Sequence, residues 1–252
     1  MFNDFICLGW NPIPKLERIV IRDAPRFMRG LRMAFAADFH IRDCTSDEYI
    51  HKITVMLTET RADILLLGGD YGESISAADR LFGAFSNLRF PLGIFGTIGN
   101  NDVECFGDTV SLREHAGFQV LVNEKHSLDV NGGMLHIGGA DELKYGVASV
   151  AGLFPRSSAP VYSVLITHYP HMPAFAPGAQ ARLVLSGHSH AGQVRLFGIS
   201  CYSFGMEKEK VDRVAGLHQI GVTRLLVSPG IGVSRLPIRV GAPPRIHCVD
   251  FL

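Results

Sequence analysis

Short apolar runs and segments of helical periodicity alternate along the first two-thirds of the chain, and the apolar runs stop abruptly at clusters of Gly, Asp, Asn or His. Residues 17–22 read as a first edge strand, and Pro25 and Gly30 punctuate the turn into a second strand at 31–37, which stops at Asp38-Phe39-His40. Thr45-Ser46-Asp47-Glu48 has capping-box spacing, so a helix is predicted to about Thr60, with Ile50, Ile53, Val55, Met56 and Leu57 on its apolar face. A buried strand at 63–67 ends at Gly68-Gly69-Asp70. A helix is predicted from about Ala77 to Leu88, then a strand at 92–98 ending at Gly99-Asn100-Asn101-Asp102, then a helix within 107–116.

Beyond residue 117 the period changes. Runs at 118–122, 126–130 and 133–138 read as antiparallel strands, and Tyr145 to Leu153 reads as a helix. A strand at 161–167 ends at His168, and Leu183-Val184-Leu185 leads to Gly187-His188-Ser189-His190. A polar loop through 207–213 and strands at 223–228 and 246–251 complete the pattern. Strand–helix alternation followed by a strand-rich half predicts an α/β sandwich of two sheets with helices outside. No internal repeat or long linker divides the chain, so 1–252 is expected to be a single domain.

Alone, His188-x-His190 reads first as two surface histidines in a turn. Side chains two apart in an extended segment point the same way, however, and paired imidazoles at a strand end become a metal site when other ligands converge on them. Polar residues at five strand ends supply such partners, at the edge where open α/β sheets place their ligands.

Composition narrows the chemistry. The 24 Lys and Arg balance the 24 Asp and Glu, which disfavours a nucleic-acid surface. The five scattered cysteines lack Cys-x-x-Cys and fit reduced thiols of a cytosol. No apolar run reaches the ~18 residues of a membrane span, and the amino terminus has no basic leader. Phe2, Phe5, Ile6 and Trp10 form an apolar group expected to pack on the domain, with contact to a bilayer surface as the alternative use. Cytoplasmic location is expected, with the inner-membrane surface as the alternative.

Asp38-x-His40, Gly69-Asp70, Gly99-Asn100-Asn101-Asp102, His168 and Gly187-His188-x-His190 stand in the order of the five sequence blocks of the calcineurin-like metallophosphoesterases, which the chain resembles over nearly its whole length. Residues 25–40, Gly192-Gln193 and 232–244 are similar to the YkuE-like branch. Arg245 and His171 depart from it, standing where that branch has Glu and Asp.

The resemblance implies a four-layer αββα sandwich and a binuclear centre. One cation falls to Asp38, His40, Asp70 and His190, the other to Asp70, Asn100, His168 and His188, with Asp70 bridging. A carboxylate between divalent ions roughly 3.5–4 Å apart offsets their repulsion. Oxygen and imidazole donors without sulfur suit two divalent ions, Mn²⁺ first, with Fe or Zn²⁺ as alternatives. The implied reaction is hydrolysis of a phosphodiester or pyrophosphate bond by in-line attack of a metal-bridging hydroxide. A UDP-diacylglucosamine pyrophosphatase of lipid A synthesis is the alternative enzyme, and a catalytically weak metal-binding scaffold the alternative of another class.

Asn101 replaces the histidine thought to assist the leaving group in this family. An amide donates a hydrogen bond but delivers no proton near neutral pH, which predicts a preference for leaving groups that need none. His171, three residues beyond His168, is the candidate substitute, with a rim position as its other reading. Asp102 and Asp141 are expected to bond loop backbone, and Arg235 and Arg239 to make structural pairs, with bidentate binding of a substrate phosphate as the other reading of either arginine. The remaining histidines are assigned no role.

Overall fold

The computed structural model of the protein describes residues 6–154, 158–170, 181–196, 199–200 and 214–252. In chain order the strands are β1 (Ile6–Leu8), β2 (Lys15–Ile21), β3 (Arg32–Ala36), β4 (Ile64–Leu67), β5 (Ile94–Gly96), β6 (Gln119–Val120), β7 (Glu124–Val130), β8 (Gly133–Gly139), β9 (Val161–Thr167), β10 (Leu183–Ser186), β11 (Arg195–Leu196), β12 (Ile199–Ser200), β13 (Gly216–Ile220), β14 (Thr223–Val227), β15 (Ile238–Val240) and β16 (Arg245–Phe251). The helices are α1 (Asp47–Glu59), α2 (Ile75–Phe85), α3 (Asn100–Phe106) and α4 (Thr109–Ala116).

The first sheet runs β2-β16-β3-β4-β5-β6 and the second β13-β14-β10-β9-β8-β7, with two-stranded antiparallel pairs β1-β15 and β11-β12 beside them. Both sheets are mixed. β3, β4, β5 and β6 are parallel, whereas β3 meets β16 antiparallel. β8, β9, β10 and β14 are parallel and end in antiparallel neighbours. The carboxyl ends of the parallel strands in each sheet therefore lie along one edge, which is what places the strand-end polar blocks together.

Strand alternation sets the layers. Met33 and Phe35 of β3 and Ile64 and Leu66 of β4 face the space between the sheets, against Leu135, Val164, Ile166, Leu183 and Leu185. Ala34, Ala36, Leu65 and Leu67 face the other way, against Ile53 and Leu57 of α1, Leu81 and Phe85 of α2 and Leu112 of α4. Small residues on β3 let the helix layer approach. The outer face of the second sheet, with Leu165, Val184 and Leu225, packs on Val150 and Phe154. The expected α/β sandwich of two mixed sheets is thus the observed architecture. Among the described residues its fourth layer is the irregular segment from 140 to 154.

That segment is a correction to the expected helix at 145–153. Its backbone N–H groups bond to side chains instead: Val147 N–H donates to Asp141 Oδ2 at 3.1 Å and Ser149 N–H to Asn123 Oδ1 at 2.8 Å. These bonds replace the helical ladder. A second difference is α3, which begins inside the block read as a strand-end loop, with Asp102 Oδ2 accepting the Gly99 N–H at 2.8 Å. No helix of the described residues is long and apolar enough to cross a membrane.

Candidate metal centre

Asp38 and His40 follow β3, Asp70 follows β4, Asn100 opens α3 after β5, His168 follows β9, and His188 and His190 follow β10. Five of these seven, Asp38, His40, Asp70, His188 and His190, adopt φ between 45° and 66°. Left-handed backbone in a non-glycine residue costs of order 1–3 kcal/mol and persists only where surrounding structure holds it. Here the loops lace onto each other. Asp38 N–H donates to Gly69 O at 2.9 Å, His40 N–H to Asp70 O at 3.1 Å and Gly232 N–H to the Asp38 carbonyl at 2.7 Å. Gly99 and Gly187 have to be glycine for a different reason: a Cβ at either would strike the carboxylate of Asp70 or Asp38.

Asp70 lies at the middle. Its Oδ2 is 3.4 Å from His40 Nε2 and 3.3 Å from His168 Nε2, while Oδ1 accepts the Asn101 N–H at 2.9 Å. His40 Nε2 and His190 Nε2 face each other at 3.1 Å, and His188 Nδ1 faces His168 Nε2 at 3.1 Å. Asp38 Oδ1 accepts the His188 N–H at 2.8 Å and lies 3.8 Å from His190 Nε2. Asn100 joins through Tyr169, whose hydroxyl is 3.4 Å from Asn100 Oδ1 and whose ring lies 4.0 Å from that of His188.

The donor set fits divalent cations. Ligand atoms of Asp38, His40 and His190 lie within 4.8 Å of one another, as do those of Asp38, Asp70 and His168. His40 Nδ1 donates to Glu73 Oε1 at 2.7 Å and His168 Nδ1 to Gly68 O at 2.9 Å, so each turns its Nε2 inward. Asp38 Oδ2, fully buried, has no hydrogen-bond partner. An orphaned buried carboxylate oxygen is costly unless a cation answers it.

The electrostatics have the same shape. Burial pushes the Asp38 carboxyl up to about 6, against the opposing pull of His168. Burial would raise Asp70 too, but the charges of His168, His40 and His188 outweigh it and hold that carboxyl well below its usual range. Burial disfavours charge on His168, yet the Asp70 carboxylate dominates and lifts the ring to about 10. His190 is driven far down by burial, then by the charges of His40 and Arg239.

Asn101 and His171, the two catalytic candidates, fare differently. Asn101 turns its amide to the Gly72 carbonyl, donating from Nδ2 at 2.5 Å. His171 lies outside the described residues. Asp102 fixes the loop as expected, accepting the N–H groups of Asp70, Tyr71 and Gly99 at 2.7–2.8 Å. Arg239 is buried and structural, donating to the carbonyls of Gly232 and Ala242, but its Nη2 also reaches His190 Nδ1 at 3.1 Å. Sequence reasoning missed Glu73 and Tyr169, although both flank candidate ligands: Glu73 stands three residues past Asp70 and Tyr169 directly after His168.

No family model matches the chain. It is 27% identical over 231 residues to the uncharacterized metallophosphoesterase YkuE of Bacillus subtilis, covering 88% of this chain and 79% of that protein. It is 25% identical over 227 residues to the metallophosphoesterase YkoQ of the same organism, covering 86% and 82%. Among solved structures, the sulfate thiohydrolase SoxB of Thermus thermophilus in complex with glycerol aligns with a TM-score of 0.48 at 13% identity, covering 88% of this chain and 58% of that one.

Proposed function

As a calcineurin-like metallophosphoesterase of the YkuE-like branch, this chain is a metal-dependent phosphoesterase, and we propose that the bond it hydrolyses is a phosphodiester or a pyrophosphate. The observation that carries the metal chemistry is the Asp70 carboxylate, one oxygen of which lies within 3.4 Å of imidazole nitrogens brought from two different sheets. Asp38, His40, Asp70 and His190 would hold one cation, and Asp70, Asn100, His168 and His188 the other. Divalent cations bound there would supply a nucleophile from water near neutral pH and neutralise charge on the phosphoryl oxygens. Manganese suits a set of carboxylate, amide and imidazole donors with no thiolate.

The chain's own residues narrow the leaving group. Asn101 holds no proton to give, and its amide is committed to Gly72. Loss of a positioned acid removes about 10²–10⁴-fold in rate when the leaving group is a basic alkoxide. It matters little for a phosphate, whose second pKa is about 6. Expulsion of a phosphate or another stable anion follows. With Mn²⁺-loaded protein, turnover is expected to be fastest on an anhydride such as a nucleotide sugar, lower on an aryl diester and lowest on an alkyl monoester. A preference for the alkyl monoester overturns the assignment, and full metal occupancy without turnover on any of them favours a scaffold role.

One surface feature supports a lipid-linked pyrophosphate, such as UDP-diacylglucosamine, as the second reading. Ile6 and Leu8 of β1 and Leu236 before β15 are 47%, 75% and 57% exposed. β1 pairs with β15, whose Arg239 reaches His190. An exposed aliphatic strip one side chain from the centre is suited to an acyl chain or a bilayer surface. The same panel with a lipid-linked pyrophosphate separates the readings: preference for it over the soluble anhydride selects this one.

A further inference from the structure

We propose that Glu73 is a positioning residue for the first cation, acting through the imidazole of His40; the proposal rests on the reading of the strand-end cluster as a metal centre. His40 sits in a left-handed turn at φ 45°, outside any regular element, so its ring orientation has to be set by side-chain contacts. One of these is strong. Glu73 Oε1 lies 2.7 Å from His40 Nδ1, and an ionised carboxylate can only accept, so the ring proton resides on Nδ1 and the Nε2 lone pair faces Asp70 and His190.

The carboxylate is itself held from two sides. Residues 70–73 run alongside residues 38–41. His40 N–H donates to Asp70 O at 3.1 Å, Ile41 N–H to Tyr71 O at 3.1 Å and Glu73 N–H to Ile41 O at 2.8 Å. This ladder fixes the Glu73 backbone beside the ring it contacts. Arg42 Nη2 then lies 3.3 Å from Glu73 Oε1, and the Arg42 guanidinium stacks 4.0 Å over the ring of Trp10.

The imidazoles of the cluster are backed unequally. His168 Nδ1 meets the Gly68 carbonyl and His190 Nδ1 meets the Arg239 guanidinium, so of these three rings His40 is the one braced by a carboxylate. A carboxylate behind a ligating histidine fixes its tautomer and makes it a stronger donor, and its removal typically costs about 10–100-fold in metal affinity.

Calorimetric titration of the metal-stripped chain with Mn²⁺ tests this, comparing wild type with Glu73→Ala, Glu73→Gln and Arg42→Met. Glu73→Ala should bind one of two Mn²⁺ ions about 10–100-fold more weakly and leave the other within about twofold. Glu73→Gln, whose amide oxygen still accepts from His40 Nδ1, should recover part of that loss, and Arg42→Met should show a smaller one. Unchanged Mn²⁺ affinity in Glu73→Ala overturns the proposal, as does an equal weakening of both ions, which marks general loosening. If Glu73→Ala fails to fold, the near-isosteric Glu73→Gln decides by the same criterion. Wild-type protein that binds no Mn²⁺ removes the metal-centre reading itself, so the two failures are told apart.

Discussion

The two sheets bring different atoms to the same edge. β3, β4 and β5 of the first sheet deliver Asp38, His40, Asp70 and Asn100, three of them oxygen donors. β9 and β10 of the second deliver His168, His188 and His190, all nitrogen donors. Neither sheet holds a mixed set large enough for two cations. Asp38 is where they lock together: its carboxylate accepts the His188 N–H, and its backbone carbonyl accepts the Gly232 N–H. The centre is therefore a property of the docked sandwich, and the oxygen side and the nitrogen side should respond differently when disturbed.

Removing the central charge should have the largest effect. Asp70→Asn keeps the shape, but the carboxylate common to both proposed cation sites is gone. Both Mn²⁺ ions should be lost at concentrations that saturate the wild type, and turnover should fall at least about 10³-fold, since several kcal/mol of charge stabilisation are removed. Metal content by atomic emission together with turnover on an aryl diester checks it. An Asp70→Asn protein that retains both ions would show the bridging carboxylate dispensable and break the contrast.

A smaller effect isolates the docking of the sheets. Leu185 of β10 is buried between them, and Leu81 of α2 is equally buried in the helix layer. Truncating either to Ala should cost about 2–5 kcal/mol. Leu185→Ala should also weaken Mn²⁺ several-fold, because it loosens the contact that brings imidazoles to carboxylates, whereas Leu81→Ala should leave affinity unchanged. Chemical denaturation with and without Mn²⁺ measures both, since cation at about 100 times its Kd should return about 2.7 kcal/mol to a variant that still binds it. Equal Mn²⁺ affinities in the two variants would mean that each sheet holds its half of the site without help from the other.

The unequal legibility of these features has a physical basis. The strand-end blocks were readable because an apolar run stopping at Asp or His has little reason to do so except an edge where polar atoms are wanted, as at Leu67 before Gly68-Gly69-Asp70. The false helix at 145–153 arose because Val147, Val150 and Leu153 repeat every three residues, while the side chains that capture its backbone, Asn123 and Asp141, lie upstream. The short strands β1, β13 and β15 escaped because β1 and β15 form by pairing with each other across the length of the chain and β13 is largely exposed. The contacts behind the ligands were illegible for a similar reason. Arg239 meets His190 across 49 positions and Glu73 meets His40 across 33, distances over which spacing carries no signal.

The finest contrast concerns Asn100, the oxygen donor proposed for the second cation beside the bridging Asp70. The Tyr169 hydroxyl lies 3.4 Å from Asn100 Oδ1, and its ring packs 4.0 Å from that of His188. A phenol has one hydrogen to give, and here the amide oxygen of Asn100 accepts it. The two ends of an amide are nearly the same in shape, and the network around it decides which faces where. Tyr169 thereby holds the Asn100 oxygen on its own side, where its ring packs against His188. Tyr169→Phe keeps the ring against His188 but releases the amide. The second Mn²⁺ should bind about five- to tenfold more weakly, the equivalent of one hydrogen bond of about 1 kcal/mol, with the first unaffected. Glu73→Ala should show the opposite selectivity. Calorimetric titration of Tyr169→Phe resolves the two ions, and weakening of the first instead of the second would mean that Asn100 serves the other side of the centre.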